Sequence, residues 1–337
     1  MKQTLIITTR EIILKNIPFV FLLLGAMYLG LSGGATESGF FATFEALFRP
    51  TNVDPPLIQT IIWKIRLPRV IIAVLVGGSL SLGGLVFQAL LRNPLAEPYI
   101  LGISGGAAIG GIVGILLGLS RFPGINGLAF LGSMGTLVLV VFLSTGRAVL
   151  QKDALLLAGV MVNAFCNAVI MLLVSMAQDS RLHNIIFWLM GDLSATSLTE
   201  AGYLAILVVP CFLAIFFFSH VMNLLLLGKE MALSMGVNVK MVMLVLLLIS
   251  SFMVSSTVAY CGLVGFVGLV IPHLLRMVLG SDHRILVPAS ILGGGAYLVL
   301  CDLLARSLPQ NGEMPVGVVT AMIGVPIFII LLKRSKR

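Results

Sequence analysis

Few groups in this chain could do covalent chemistry, and their spacing does not suit it. Cys166, Cys211, Cys261 and Cys301 stand one by one in apolar runs. None has the CxxC or Cys/His spacing of a metal site or disulfide framework, so they read as buried thiols packed like small apolar side chains. No GxxxxGK[ST] phosphate loop is present: Gly228-Lys229 is followed by Glu230, so the chain is not expected to hydrolyse ATP itself. His273 and Asp302 are the ionisable candidates inside apolar runs. Ion-coupled carriers place carboxylates at mid-membrane; their scarcity argues against ion coupling, and His273 reads as a packing residue. No catalytic residue, metal site or cofactor is expected. Recognition by charge and shape is left. In Arg66-Leu67-Pro68-Arg69, each guanidinium can take a carboxylate bidentately. Asn93-Pro94-Leu95 forms a short polar break between two apolar runs. Gly228 and Gly236 bracket a helix-length piece holding Lys229, Glu230, Ala232 and Ser234.

The elements that position these residues must lie in lipid. The chain of 337 residues is 59% apolar and 10% charged, against about 25% charged in a soluble domain. No core of this size hides so much apolar side chain from water. The fold class is therefore an all-α polytopic membrane protein. No polar stretch is long enough for a soluble domain, so residues 1–337 read as one transmembrane domain. The net charge of +8 fits Lys and Arg retained in cytoplasmic loops and does not call for nucleic acid; membrane lipid is the expected surrounding. Lys2, Arg10 and Lys15 before an apolar run imitate a signal peptide. The run from Ile17 to Leu31 is long for a signal core and no small-x-small site follows, so an uncleaved first span is expected.

A bilayer crossing needs about 20 apolar residues. Ten spans are expected at 17–34, 70–91, 98–119, 127–144, 154–176, 201–219, 241–261, 264–280, 285–304 and 315–332. A very tight turn at Gly262-Leu263-Val264 leaves spans seven and eight open to being one re-entrant element. With both termini cytoplasmic, fourteen of the 21 Lys and Arg face inward and seven outward, in line with the positive-inside bias. Arg66, Arg69 and Arg306 then lie outside, against that bias. Gly102, Gly106, Gly110, Gly114 and Gly118 recur every four residues, a slowly drifting stripe that lets a neighbouring backbone approach closely; pore lining is the other reading. Pro98, Pro210, Pro272 and Pro326 interrupt spans and can kink them, which suits a transporter. Residues 222–240 form the longest cytoplasmic loop. A short amphipathic helix there fits either a partner's groove or the lipid headgroups.

The chain resembles, nearly end to end, the membrane permeases of ATP-binding-cassette importers for iron chelates and cobalamin. The motifs are RLPR (66–69), NPLAEP (93–98) with LGISGGA (101–107), LLLAGV (155–160), GFVGLVIPHLLR (265–276) with DHR (282–284), and PVGVVTAMIGVPIFIILL (315–332). The resemblance implies a type II importer permease fold in the bacterial cell (inner) membrane. It also implies a second permease copy in a homodimer, two cytoplasmic ATP-binding subunits and a substrate-binding protein. In relatives, arginines of the RLPR type receive acidic residues of the binding protein, which carries over to Arg66 and Arg69, and to Arg306 late in the ninth span. Asn93 and Leu95 carry over to the cytoplasmic gate, and Gly228, Glu230, Ala232 and Gly236 to the ATPase-coupling segment. Relatives carry small hydroxyl residues at the second gate turn, where this chain has Gln151-Lys152-Asp153. The implied cargo is a ferric siderophore, haem or cobalamin. The rival reading is a stand-alone ion-coupled carrier or channel.

Overall fold

The computed structural model describes residues 8–33, 43–45, 57–144, 152–194, 196–309 and 312–335. The helices are α1 (Thr9–Ser32), α2 (Leu57–Leu91), α3 (Ile103–Leu116), α4 (Arg121–Ser144) and α5 (Lys152–Ser175). Next come α6 (Asp179–Met190), α7 (Leu198–Phe217), α8 (Ser219–Leu227) and α9 (Lys229–Ser234). The chain closes with α10 (Val239–Cys261), α11 (Val267–Leu279), α12 (His283–Ser307) and α13 (Val316–Ser335). No strand occurs among the described residues. In hydrocarbon every backbone polar group must be satisfied within its own segment, and helices meet that demand.

Among the described residues, seven helices are long and apolar enough to cross a membrane, and α3, α11 and α13 are shorter apolar helices. Each expected span coincides with one of these ten. Burial sorts them into layers. The best apolar window of α2 is 83% buried and that of α12 is 72%, against 11% for α1 and 17% for α5. So α2 and α12 form the centre, with α10 beside them, and α1 and α5 present most of their side chains outward. Two helix starts carry reciprocal capping boxes, Thr8 with Glu11 on α1 and Ser197 with Glu200 on α7.

Glycine permits the central contacts. A Cβ on Gly294 of α12 would meet the carbonyl oxygen of Gly77 on α2, and one on Gly84 of α2 would meet Gly268 of α11. In the four-residue stripe, Gly106 and Gly110 press against Gly132 and Leu128 of α4, and Gly114 against Ile125. These three serve helix packing, as the tight-packing reading expected. Gly102 and Gly118 instead take left-handed backbone at the two ends of α3.

The structure differs from expectation in several places. The second helix begins at Leu57, with a π-helical stretch at Ile62–Arg66, so Arg66 and Arg69 lie within a helix. Pro98–Leu101 forms a 3-10 turn ahead of α3. α10 and α11 are separate helices joined by a packed loop, where the Tyr99 hydroxyl donates to the Val264 carbonyl at 2.8 Å and accepts from its amide at 3.2 Å. Helices α6 and α8 were not anticipated.

Candidate functional site

Two clusters stand at the two ends of α2. At its N-terminal end, the last carbonyls of α1 lack helical partners, as at any helix C-terminus. Arg66 Nη1 donates to the carbonyls of Leu31 (2.8 Å) and Ser32 (3.1 Å), and Arg306 Nη2 donates to that of Gly30 (3.0 Å). Cations at a helix C-terminus also meet the favourable end of its dipole. Arg69 Nε donates to Asp302 Oδ1 at 2.8 Å and its Nη1 to Glu313 Oε2 at 2.6 Å. Arg306 Nε lies 3.1 Å from Asp302 Oδ2. The fold thus gathers all three expected docking arginines around the end of α1; Asp302 joins Arg69 and Arg306, while Arg66 holds the α1 carbonyls. They are buried, and only Glu313, 45% exposed, offers the network to solvent. Asp302 is the residue sequence reading undervalued. Its signal was Arg306 four positions on, one helical turn away.

At the other end of α2, Arg92 closes the helix in left-handed backbone (φ 50°). The Asn93 side-chain oxygen accepts from the Leu95 amide at 3.0 Å, and the Asn93 carbonyl accepts from Ala96 at 3.1 Å. This Asx turn leaves Leu95 41% exposed. Behind it, Gln88 Nε2 donates to the Gly268 carbonyl and Arg276 Nη2 donates to Gln88 Oε1, each at 3.2 Å. Glu97 follows the turn, and burial pushes its carboxyl up to about 7.

The expected coupling segment is helix α9, flanked by Gly228 (φ 122°) and Gly236 (φ 81°). Ala232 is buried; its amide donates to the Gly228 carbonyl at 3.0 Å and its carbonyl accepts from Val237 at 3.0 Å. Glu230 is exposed, as are Met231, Leu233 and Met235. Arg92, Gly228, Glu230, Met231 and Ser234 line one open pocket of about 650 Å³, which places the coupling segment beside the residue that precedes the gate turn. Asn223 of α8 ties this corner to α12: its Nδ2 donates to Asp282 Oδ1 (2.9 Å), and its Oδ1 accepts from the His283 amide (2.8 Å). Burial raises the Asp282 carboxyl, but hydrogen bonds from Arg284 and Asn223 outweigh it and hold it down at about 2. Of the second gate turn, Gln151 lies outside the described residues, as do the side chains of Lys152 and Asp153. Among the described residues no group of three His, Cys, Asp or Glu could hold a metal ion. All four cysteines are free and buried.

The described residues form a multi-pass helical membrane protein with a close-packed centre and polar turns at the helix ends. The profile of the FecCD transport family matches residues 22–334. The hemin transport system permease protein HmuU of Yersinia pestis is 38% identical, over 94% of this chain and 95% of that one. The vitamin B12 import system permease protein BtuC of Citrobacter koseri is 40% identical, over 83% and 84%. A solved structure described as an inward-facing conformation of a metal-chelate type ABC transporter superposes with a TM-score of 0.83 at 32% identity, covering 94% of this chain and 98% of that one. The chain belongs to the FecCD transport family. It is a transport permease, and ATP hydrolysis is done by a separate ATPase subunit.

Proposed function

We propose that the chain is the membrane-spanning subunit of an ATP-driven importer that moves a metal chelate, such as a ferric siderophore, haem or cobalamin, through the bacterial inner membrane. In this reading it has ten crossings with both termini cytoplasmic. It pairs with a second copy of itself, carries two ATP-binding subunits and receives cargo from a substrate-binding protein. The observation that carries the proposal is the pocket shared by α9 and Arg92. A helix with exposed apolar side chains, flanked by two positive-φ glycines, lines the same pocket as Arg92, the residue that ends the central helix. A subunit seated on Met231, Leu233 and Met235 therefore acts beside Arg92, next to the Asn93–Leu95 turn.

At the opposite end, Arg66, Arg69 and Arg306 form the docking corner. The charges of Arg69 and Arg306 are already partly met by Asp302 and Glu313, so an acidic residue of the binding protein engages Arg69 by taking the place of solvent-exposed Glu313. Charges at such a rim set register and encounter rate more than affinity. Cargo binds weakly in the path between the two ends and is released when the Asn93–Leu95 turn opens.

The test is reconstitution. Liposomes holding the permease with its ATPase, supplied with ATP and loaded binding protein, are expected to accumulate chelate. Omission of the ATPase is expected to stop it. Accumulation by the permease alone on a proton or sodium gradient would establish the carrier reading instead.

A further inference from the structure

A second cavity, of about 580 Å³, opens where α3 ends and α4 begins, walled on its other side by α6. Its size falls in the range of small-molecule sites. Its charges are unequal. Arg121 faces Asp192 at 3.7 Å, and its Nη2 donates to the carbonyls of Asp192 (3.1 Å) and Tyr260 (3.4 Å). The Asp192 carboxylate is further occupied by the Ser194 amide at 2.7 Å. Arg181, on α6, has a different partner: its Nη1 donates to the carbonyl of Leu116 at the C-terminus of α3. No carboxylate of the described residues pairs with it. One half-buried guanidinium therefore lines the cavity with no carboxylate partner among the described residues, with four of its five donors left for a ligand. Asn184 and His183 stand exposed at the rim. The remaining wall is apolar and aromatic, with Leu119, Phe187 and Trp188.

We infer that this cavity binds an oxyanion, a carboxylate or phosphate, carried on an apolar body. The anion pairs with Arg181, with Arg121 and Asn184 in reach, and the body lies on Phe187 and Trp188. A guanidinium fork matches such anions bidentately. A metal cation is disfavoured, because the cavity's single carboxylate is committed to Arg121 and a backbone amide. Two sources supply this chemistry. One is an anionic phospholipid of the surrounding bilayer, since the cavity lies at helix ends beside a tryptophan, as at a membrane interface. The other is a chelate bearing carboxylates. The inference does not depend on the importer reading.

Trp188 lines the cavity and is one of two tryptophans in the chain, so a Trp63→Phe background reports on it alone. The protein is placed in phosphatidylcholine nanodiscs, and Trp188 quenching is titrated with matched probe pairs. Brominated phosphatidylglycerol is set against brominated phosphatidylcholine, and hemin against hemin dimethyl ester. At least one anionic probe is expected to quench at about tenfold lower concentration than its neutral counterpart. Preference in the lipid pair identifies a headgroup site; preference in the porphyrin pair identifies a carboxylate-chelate site. Arg181→Gln is expected to abolish the preference and Arg181→Lys to retain part of it. Equal quenching within both pairs overturns the inference, as does a preference that survives Arg181→Gln. If Arg181→Gln fails to fold, the matched pairs on the Trp63→Phe protein decide alone.

Discussion

Replacing Asp302 tests the charge corner most directly. The carboxylate is fully buried and meets Arg69 at 2.8 Å and Arg306 at 3.1 Å. Asp302→Ala leaves both guanidiniums in place, with Glu313 as the remaining carboxylate and Arg69 as its partner. Breaking a buried pair by removing one member costs about 3–5 kcal/mol, because the stranded charge keeps its desolvation penalty. Here Arg306 is the stranded group, still holding the Gly30 carbonyl. A loss of that size corresponds to a melting shift of roughly 10 °C. The four buried free cysteines supply the assay: a thiol-reactive dye fluoresces as heating exposes them. Asp302→Asn keeps shape and one acceptor and is expected to fall between wild type and Asp302→Ala. In a cycle with Arg69→Leu, the Arg69→Leu/Asp302→Leu double variant is expected to be more stable than the sum of the singles by about 1–3 kcal/mol. Melting of Asp302→Ala within about 2 °C of wild type, or an additive cycle, would refute the argument that Asp302 holds the corner together.

Other expectations concern packing, protonation and sidedness. Gly294→Val drives a side chain into the Gly77 carbonyl and is expected to cost about 3 kcal/mol or more, seen as loss of monodisperse protein on size exclusion; Gly202→Ala, with open space around it, should elute like wild type. Burial raises the Glu97 carboxyl from 4.5 to about 7, so the folded state keeps a proton that the unfolded state releases. Its contribution is complete below the unfolded value and lost as pH rises through about 7. Glu97→Gln should therefore flatten the decline in melting temperature between about pH 5 and about pH 8; an unchanged slope would remove Glu97 as its source. Gly312 is exposed beside Glu313 and Ser234 is exposed on α9. Gly312→Cys should react with an impermeant maleimide on intact spheroplasts, and Ser234→Cys only after permeabilisation. The reverse pattern would invert the proposed orientation.

Much of the fold was legible because lipid imposes a simple rule. Apolar runs of bilayer length must be helices, so among the described residues the seven long helices and the three short ones fall where composition put them. The glycines of α3 were legible as packing positions for the same reason: a four-residue repeat can only bring one side of a helix against a neighbour. The pair Gly228 and Gly236 marked α9, since each takes a positive φ that other residues resist.

Contacts between distant segments were not legible. Nothing local to Arg66 says that its guanidinium caps α1 thirty-five residues earlier. Nothing local to Arg69 says that Asp302 and Glu313 will meet it. The sequence placed three arginines at one end of the molecule; only the packing of α1, α2 and α12 decided that two of them share a buried carboxylate and the third caps α1. Likewise the amphipathic helix α6 left no membrane-length signal, and the wall of its cavity includes Arg181, which reaches the end of α3 across 65 residues. The solvent a chain must live in is written in its composition, whereas the partners of a charge depend on which helix ends the fold brings together.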